Sequence, residues 1–192
     1  MTISGKFSRR AWASAVVAGL LTLAACGSST TATNGFVAGD GSLTLVPVSS
    51  RVAAPTLSGT TLDGAAWSSA DVSGKVIVYN VWGSWCAPCR KEAVDLETAS
   101  KAVGSKAAFV GINVRDLDKA PPQAFVRAFG VTYPSLYDPD GHLLLAFNGL
   151  LPANAIPTTL IIDAQGRIAA RVVGETKAAT LEKIVDDVAA GR

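Results

Sequence analysis

Histidine occurs once in the 192 residues, at position 142, methionine once and cysteine three times. One distant imidazole cannot join the neighbouring thiolates of Cys86 and Cys89 into the closed four-ligand set of structural zinc, so no metal is expected. Charged side chains are only 17% of the chain and form no basic patch, so nothing calls for nucleic acid. No uncharged apolar run reaches the roughly 20 residues of a membrane-spanning helix. Repeats at solenoid or propeller periods are absent as well. The chain is long enough for one ordinary domain with a core of its own and short for two.

Apolar residues, at 49%, are concentrated at the start. Lys6, Arg9 and Arg10 precede an uncharged stretch from Ala11 to Ala25, the pattern of a signal peptide over 1–25. Leu23-Ala24-Ala25-Cys26 resembles the lipobox of bacterial lipoprotein precursors, where cleavage leaves Cys26 lipidated. An ordinary secretory cleavage, with Cys26 incidental, is the plainer alternative. Ser8-Arg9-Arg10 has a faint likeness to a twin-arginine export signal. From Gly27 to Gly41 small and polar residues dominate, so 26–42 reads as a lipidated cysteine and flexible tether, and 43–192 as the folded domain. Three of the 17 basic residues precede Cys26 and all 15 acidic ones follow it; the remaining 14 against 15 give the mature chain about −1. With Cys26 assigned to lipid, Cys86 and Cys89 are left as a pair.

Within the domain, short apolar stretches from Leu43 to Trp67 alternate with turn residues, and Leu57–Gly64 suggests a hairpin or irregular β layer. Lys75–Trp82 is a nearly unbroken β-branched and aromatic run, expected of a central strand covered on both faces. The loop Gly83–Cys86 then leads into a helix from Ala87 to Val103, with Pro88 in its first turn and Gly104 at its stop. A strand over Ala107–Asn113, a helix from Pro121 to Phe129, a short strand over Tyr133–Tyr137 and a brief helix from Leu143 to Phe147 continue the alternation. Thr158–Ile162 and Arg167–Val173 flank a turn and form a hairpin. Leu181, Ile184, Val185 and Val188 mark the last helix, with Thr180 as its expected cap. Together these predict an α/β fold, a mixed central sheet with helices on both faces and an N-terminal β extension.

Cys86-Ala87-Pro88-Cys89 at a strand-to-helix junction carries the chemistry. Unpaired backbone N–H groups at a helix start favour a thiolate, which makes Cys86 a nucleophile near neutral pH. Cys89, one turn later, can attack a mixed disulfide on Cys86. As a purely structural disulfide the pair would close a very short loop and remove little unfolded-chain entropy. Glu92 shares a helix face with Cys89, Leu96, Ala99 and Val103. Its carboxyl is then either a desolvated group with a raised pKa, able to move the proton of Cys89, or an acid favoured near a helix start. Trp85 either shields the thiols and offers substrate an apolar surface or serves only in packing.

From Pro55 to Ala190 the chain resembles the thioredoxin superfamily, in particular its membrane-tethered TlpA-like branch of thiol reductases and cytochrome c maturation proteins. The resemblance rests on Asn80–Glu92, on Tyr133-Pro134 with Asp138–Gly141, and on Ile156-Pro157-Thr158-Thr159. It implies a thioredoxin-like fold, a redox-active Cys86/Cys89 disulfide, a functional glutamate at Glu92, and a cis peptide before Pro157 that leaves Ile156 to hold extended substrate. Asn80 stands where ordinary thioredoxins keep a buried aspartate, which shifts the proton relay to Glu92. No cofactor is implied. The implied partners are exported protein thiols or disulfides, apocytochrome c among them, and a membrane electron donor or acceptor. The implied location is the outer face of the cell membrane, with a lipid anchor at Cys26. A thiol-disulfide oxidoreductase acting as a reductase is the leading expectation. A redoxin-type peroxidase is the alternative within enzymes, although its Pro-x-x-x-Thr-x-x cysteine motif is missing. A metal-binding lipoprotein module is the alternative outside them.

Overall fold

The computed structural model describes residues 1–2, 37–38, 43–151 and 154–192. Apart from residues 1–2, the expected signal peptide lies outside these residues, as do Cys26 and most of the tether. The chain divides into two units between Thr30 and Thr31, and the architecture below is that of the second.

Seven strands form one sheet: β1 (Val37–Ala38), β2 (Leu43–Leu45), β5 (Val76–Trp82), β6 (Ala107–Val114), β7 (Ser135–Asp138), β8 (Thr158–Ile162) and β9 (Ile168–Val173). Their spatial order is β1-β2-β9-β8-β5-β6-β7. β3 (Ser58–Thr60) and β4 (Ala66–Ser68) make a separate hairpin. β5, β6 and β7 run parallel, β8 is antiparallel to β5, and β9 is antiparallel to β8 and so shares the direction of β5. The sheet is therefore mixed, and every residue of β5 is buried, as its unbroken apolar run predicts.

Alternation along β5 divides the core. Val76 and Val78 face a layer with Leu96, Ala99 and Val103 of α1 (Ala87–Val103) and Leu181, Ile184, Val185 and Val188 of α4 (Ala178–Ala189). Ile77, Tyr79 and Val81 face the opposite layer, closed by Leu57, Leu144 and Phe147 and by the partly buried Trp67. A third cluster around Trp82, Cys86 and Cys89 is covered by Phe125 of α2 (Ala120–Phe129). Long helices thus occupy one face, and the hairpin with the short helix α3 (His142–Leu145) covers the other.

Element limits differ from the sequence expectation where tertiary contacts decide them. β7 begins at Ser135 because Pro134 cannot donate to the ladder; its carbonyl instead accepts from Gly111 N at 2.9 Å. Thr180 does not cap α4. The helix starts two residues earlier, after Lys177, and Asp95 of α1 accepts from the free Ala178 N–H at 3.2 Å, so a cap from across the fold replaces the local one. The N-terminal β extension is realised in two parts. The β3–β4 hairpin falls in the turn-rich stretch, and β2 adds to the sheet edge against β9.

Candidate active site

β5 delivers the chain to the sheet's carboxyl edge, and the loop Gly83–Trp85 turns it into α1. Cys86 has extended backbone, φ −80° and ψ 110°, and occupies the N-cap position. Its Sγ accepts from Cys89 N at 3.2 Å, which uses one of the donors that a helix start leaves free. The two sulfurs form a disulfide, with Cα atoms 5.3 Å apart. Both cysteines are buried, Cys86 at 4% and Cys89 at 2% exposure. Cys89 borders a small cavity of about 10 Å³, shared with Asn80, Trp82, Phe125, Tyr133 and Ser135.

Glu92 lies one turn further along α1 and is only 1% exposed. Its Oε1 accepts from Asn80 Nδ2 at 2.9 Å and its Oε2 from Thr176 N at 3.2 Å. The Asn80 amide also donates to Thr159 Oγ1 at 3.1 Å, which ties the carboxyl to β5 and β8 together. Burial raises the Glu92 pKa to about 7, against the opposing pull of the Asn80 and Thr176 hydrogen bonds and with help from the Glu175 and Asp95 charges. The carboxyl can therefore gain and lose a proton near neutrality. Burial likewise pushes the nearby Tyr133 phenol up, with the Glu92 and Glu97 charges adding to it.

The Ile156–Pro157 peptide is cis. Pro157 is buried, and the half-buried Ile156 packs against the cluster that holds Cys86 and Cys89. Trp85 is 47% exposed. The six residues singled out in the domain, Trp85, Cys86, Cys89, Glu92, Ile156 and Pro157, thus gather at one edge of the sheet. Among the described residues no group of three or more His, Cys, Asp or Glu could hold a metal ion.

Sequence reasoning missed the strut under the active-site loop. Asp116, just beyond β6, accepts from Ser84 N at 2.8 Å, from Ser84 Oγ at 2.5 Å and from Asn113 Nδ2 at 2.7 Å. Tyr137 OH donates to the Asp116 carbonyl at 2.9 Å. No local pattern announces these bonds, since Ser84 and Asp116 meet only once β5 and β6 are paired.

Residues 47–188 match the family model of Redoxin. The chain is 33% identical over 135 residues to the thioredoxin-like protein YneN of Bacillus subtilis, covering 69% of this chain and 76% of that one. It is 31% identical over 105 residues to the thiol-disulfide oxidoreductase ResA of the same organism, covering 54% of this chain and 56% of ResA. A secreted thiol-disulfide isomerase from Corynebacterium glutamicum superposes with a TM-score of 0.75 at 31% identity, over 81% of this chain and 96% of that one.

Proposed function

The chain belongs to the redoxin family, within the thioredoxin superfamily, and from that premise we propose that it reduces disulfides of exported proteins at the outer face of the cell membrane. It is a thiol-disulfide oxidoreductase, in keeping with its likeness to ResA. The single observation that carries the direction is the surrounding of Cys86. Its sulfur accepts one backbone N–H, and no cationic side chain among the described residues hydrogen-bonds to it. Without a hydrogen bond from a cation, the Cys86 thiolate lacks one of the means by which the reduced form of a strong oxidant is favoured.

In the proposed cycle the reduced enzyme uses Cys86 thiolate to attack one sulfur of a substrate disulfide. The substrate S–S bond breaks, its leaving sulfur takes up a proton, and a mixed disulfide forms on Cys86. Cys89 then gives its proton to the Glu92 carboxylate and attacks Cys86 Sγ. The mixed disulfide breaks and the second substrate thiolate leaves and is protonated. Substrate has gained two electrons and two protons, and the enzyme holds the Cys86–Cys89 disulfide. A membrane electron donor returns the pair to dithiol. In this reading Ile156, Pro157 and Trp85 contact the substrate.

Export is supported by the Lys6–Ala25 pattern and by the secreted relative of similar fold. The lipid anchor at Cys26 rests on Leu23-Ala24-Ala25-Cys26, and apocytochrome c as substrate rests on resemblance to the tethered branch.

A trapping experiment tests this reading. Full-length Cys89→Ser expressed in a bacterium that makes lipoproteins should accumulate mixed disulfides through Cys86, recovered with the membrane and containing exported proteins. Cys86→Ser should accumulate none, and Cys26→Ala should shift the adducts to the soluble fraction. Adducts on Cys89 in Cys86→Ser, with none in Cys89→Ser, would reverse the roles of the two cysteines.

A further inference from the structure

On Trp85, the residue before Cys86, lies a group for which the exchange chemistry above has no use. Arg115 directly follows β6 and adopts φ +60°, a left-handed backbone that side chains other than glycine rarely take. The neighbouring bonds hold it there. Its own N–H donates to the Pro139 carbonyl at 3.1 Å, and Asp116, next in sequence, is fastened to Ser84, Asn113 and Tyr137. A non-glycine residue kept in this conformation at the rim of a reactive centre points to a functional role for its side chain.

That side chain lies on Trp85. The Arg115 guanidinium carbon is 4.6 Å from the indole ring centre. The indole itself rests on Gly83, where any Cβ would come within 2.7 Å of its Nε1. Gly83 therefore leaves the room in which the indole lies, and the guanidinium rests on that indole. Arg115 is exposed and forms no ion pair among the described residues, so its N–H donors remain available. Arg90, also exposed, donates to the Ser84 carbonyl at 3.3 Å and adds a second cation to the rim of the same loop. The carboxylates next to Arg115 in sequence keep their charge but make their bonds elsewhere, not to Arg115 or Arg90. Asp116 is buried and consumed by the loop, and Asp118 Oδ1 accepts from Ala120 N at 2.7 Å. Leu117, at the tip, is 89% exposed.

The geometry points to Arg115 as a specificity-determining residue: stacked on Trp85, it binds a carboxylate next to the reacting cysteine of an acidic substrate segment, with Leu117 giving an apolar contact beyond it. A planar guanidinium with free donors suits a carboxylate, and stacking on an aromatic face removes little of that capacity. Charge complementarity of this kind acts on encounter rate and on choice of partner. The inference rests on Cys86 being the exchanging thiol.

The test uses the full reduced chain and two synthetic peptide disulfides, identical except that Glu or Lys flanks the cysteines. Second-order rate constants are read by stopped-flow fluorescence at low ionic strength. The native protein should favour the Glu peptide by about tenfold. Arg115→Gly, which accepts the left-handed backbone without strain, should bring the ratio to near one, and Arg115→Lys should fall between. The same preference in Arg115→Gly as in the native protein, or none in the native protein, overturns the inference. A neutral reagent, 2-hydroxyethyl disulfide, is measured in parallel on the native protein. If it too fails to react, the assignment of Cys86 as exchanging thiol falls, and the specificity role falls with it.

Discussion

In the unfolded chain the Glu92 carboxyl titrates near its ordinary 4.5, and in the native protein burial moves this to about 7. Between those values the native state holds a proton that the unfolded state has lost. The contribution to stability is therefore complete at and below about pH 4.5, declines as pH rises to about 7, and is level above, a loss of roughly 3 kcal/mol. Glu92→Gln cannot titrate and should lack that decline. Denaturant unfolding of the oxidised protein at pH 5 and pH 8 measures most of it: the native protein should lose about 2.5 kcal/mol more than Glu92→Gln across the interval. Parallel losses would mean an ordinary carboxylate, unsuited to take the proton of Cys89. From sequence this residue stood between two readings, a buried relay and a helix-start acid. Helical spacing aligned it with Cys89, but the burial that raises its proton affinity is a product of the whole fold, and the Asn80 and Thr176 bonds that oppose it are brought by β5 and by the segment after β9. A carboxyl's pKa follows its surroundings, and those are long-range.

At the scale of elements, the reactive loop is held by packing that runs through Gly111 of β6. A Cβ at that position would collide with Ser135 Oγ and approach Trp82 Nε1 to 2.6 Å. Trp82 in turn packs on Phe125 of α2 with ring centres 4.4 Å apart, in the cluster that contains both cysteines. Gly111→Ala should cost about 1–3 kcal/mol through overpacking, seen as a lower denaturation midpoint at unchanged slope. An unchanged midpoint would mean that β6 and β7 part easily and that Trp82 is not fixed by them. Strong periodicity made the central elements legible: β5, α1 and β8 fall where their apolar runs, Pro88 and Gly104 put them. The ends governed by distant groups were not legible, as the start of α4 under Asp95 illustrates. β2 was also hidden, because three residues, Leu43–Leu45, have no period to detect and their partner β9 lies at the far end of the chain.

At the largest scale, the described residues place the Cys86–Cys89 disulfide at a sheet edge, with the titratable Glu92 carboxyl one turn further along the same helix. The strand-to-helix junction and the cysteine spacing were plain in the sequence. Pairing of β5 with β6 adds the strut from Asp116, and with it the placement of Arg115 over Trp85, which no short motif encodes. The proposed direction, electrons given rather than a disulfide donated, requires a Cys86 thiolate that is not strongly stabilised. The equilibrium reduction potential of Cys86/Cys89, taken on the full chain in defined thiol buffers, tests that most directly. A reversible two-electron transition at about −250 mV or below is predicted; a value near about −120 mV would make the protein a disulfide donor and contradict the reductase assignment.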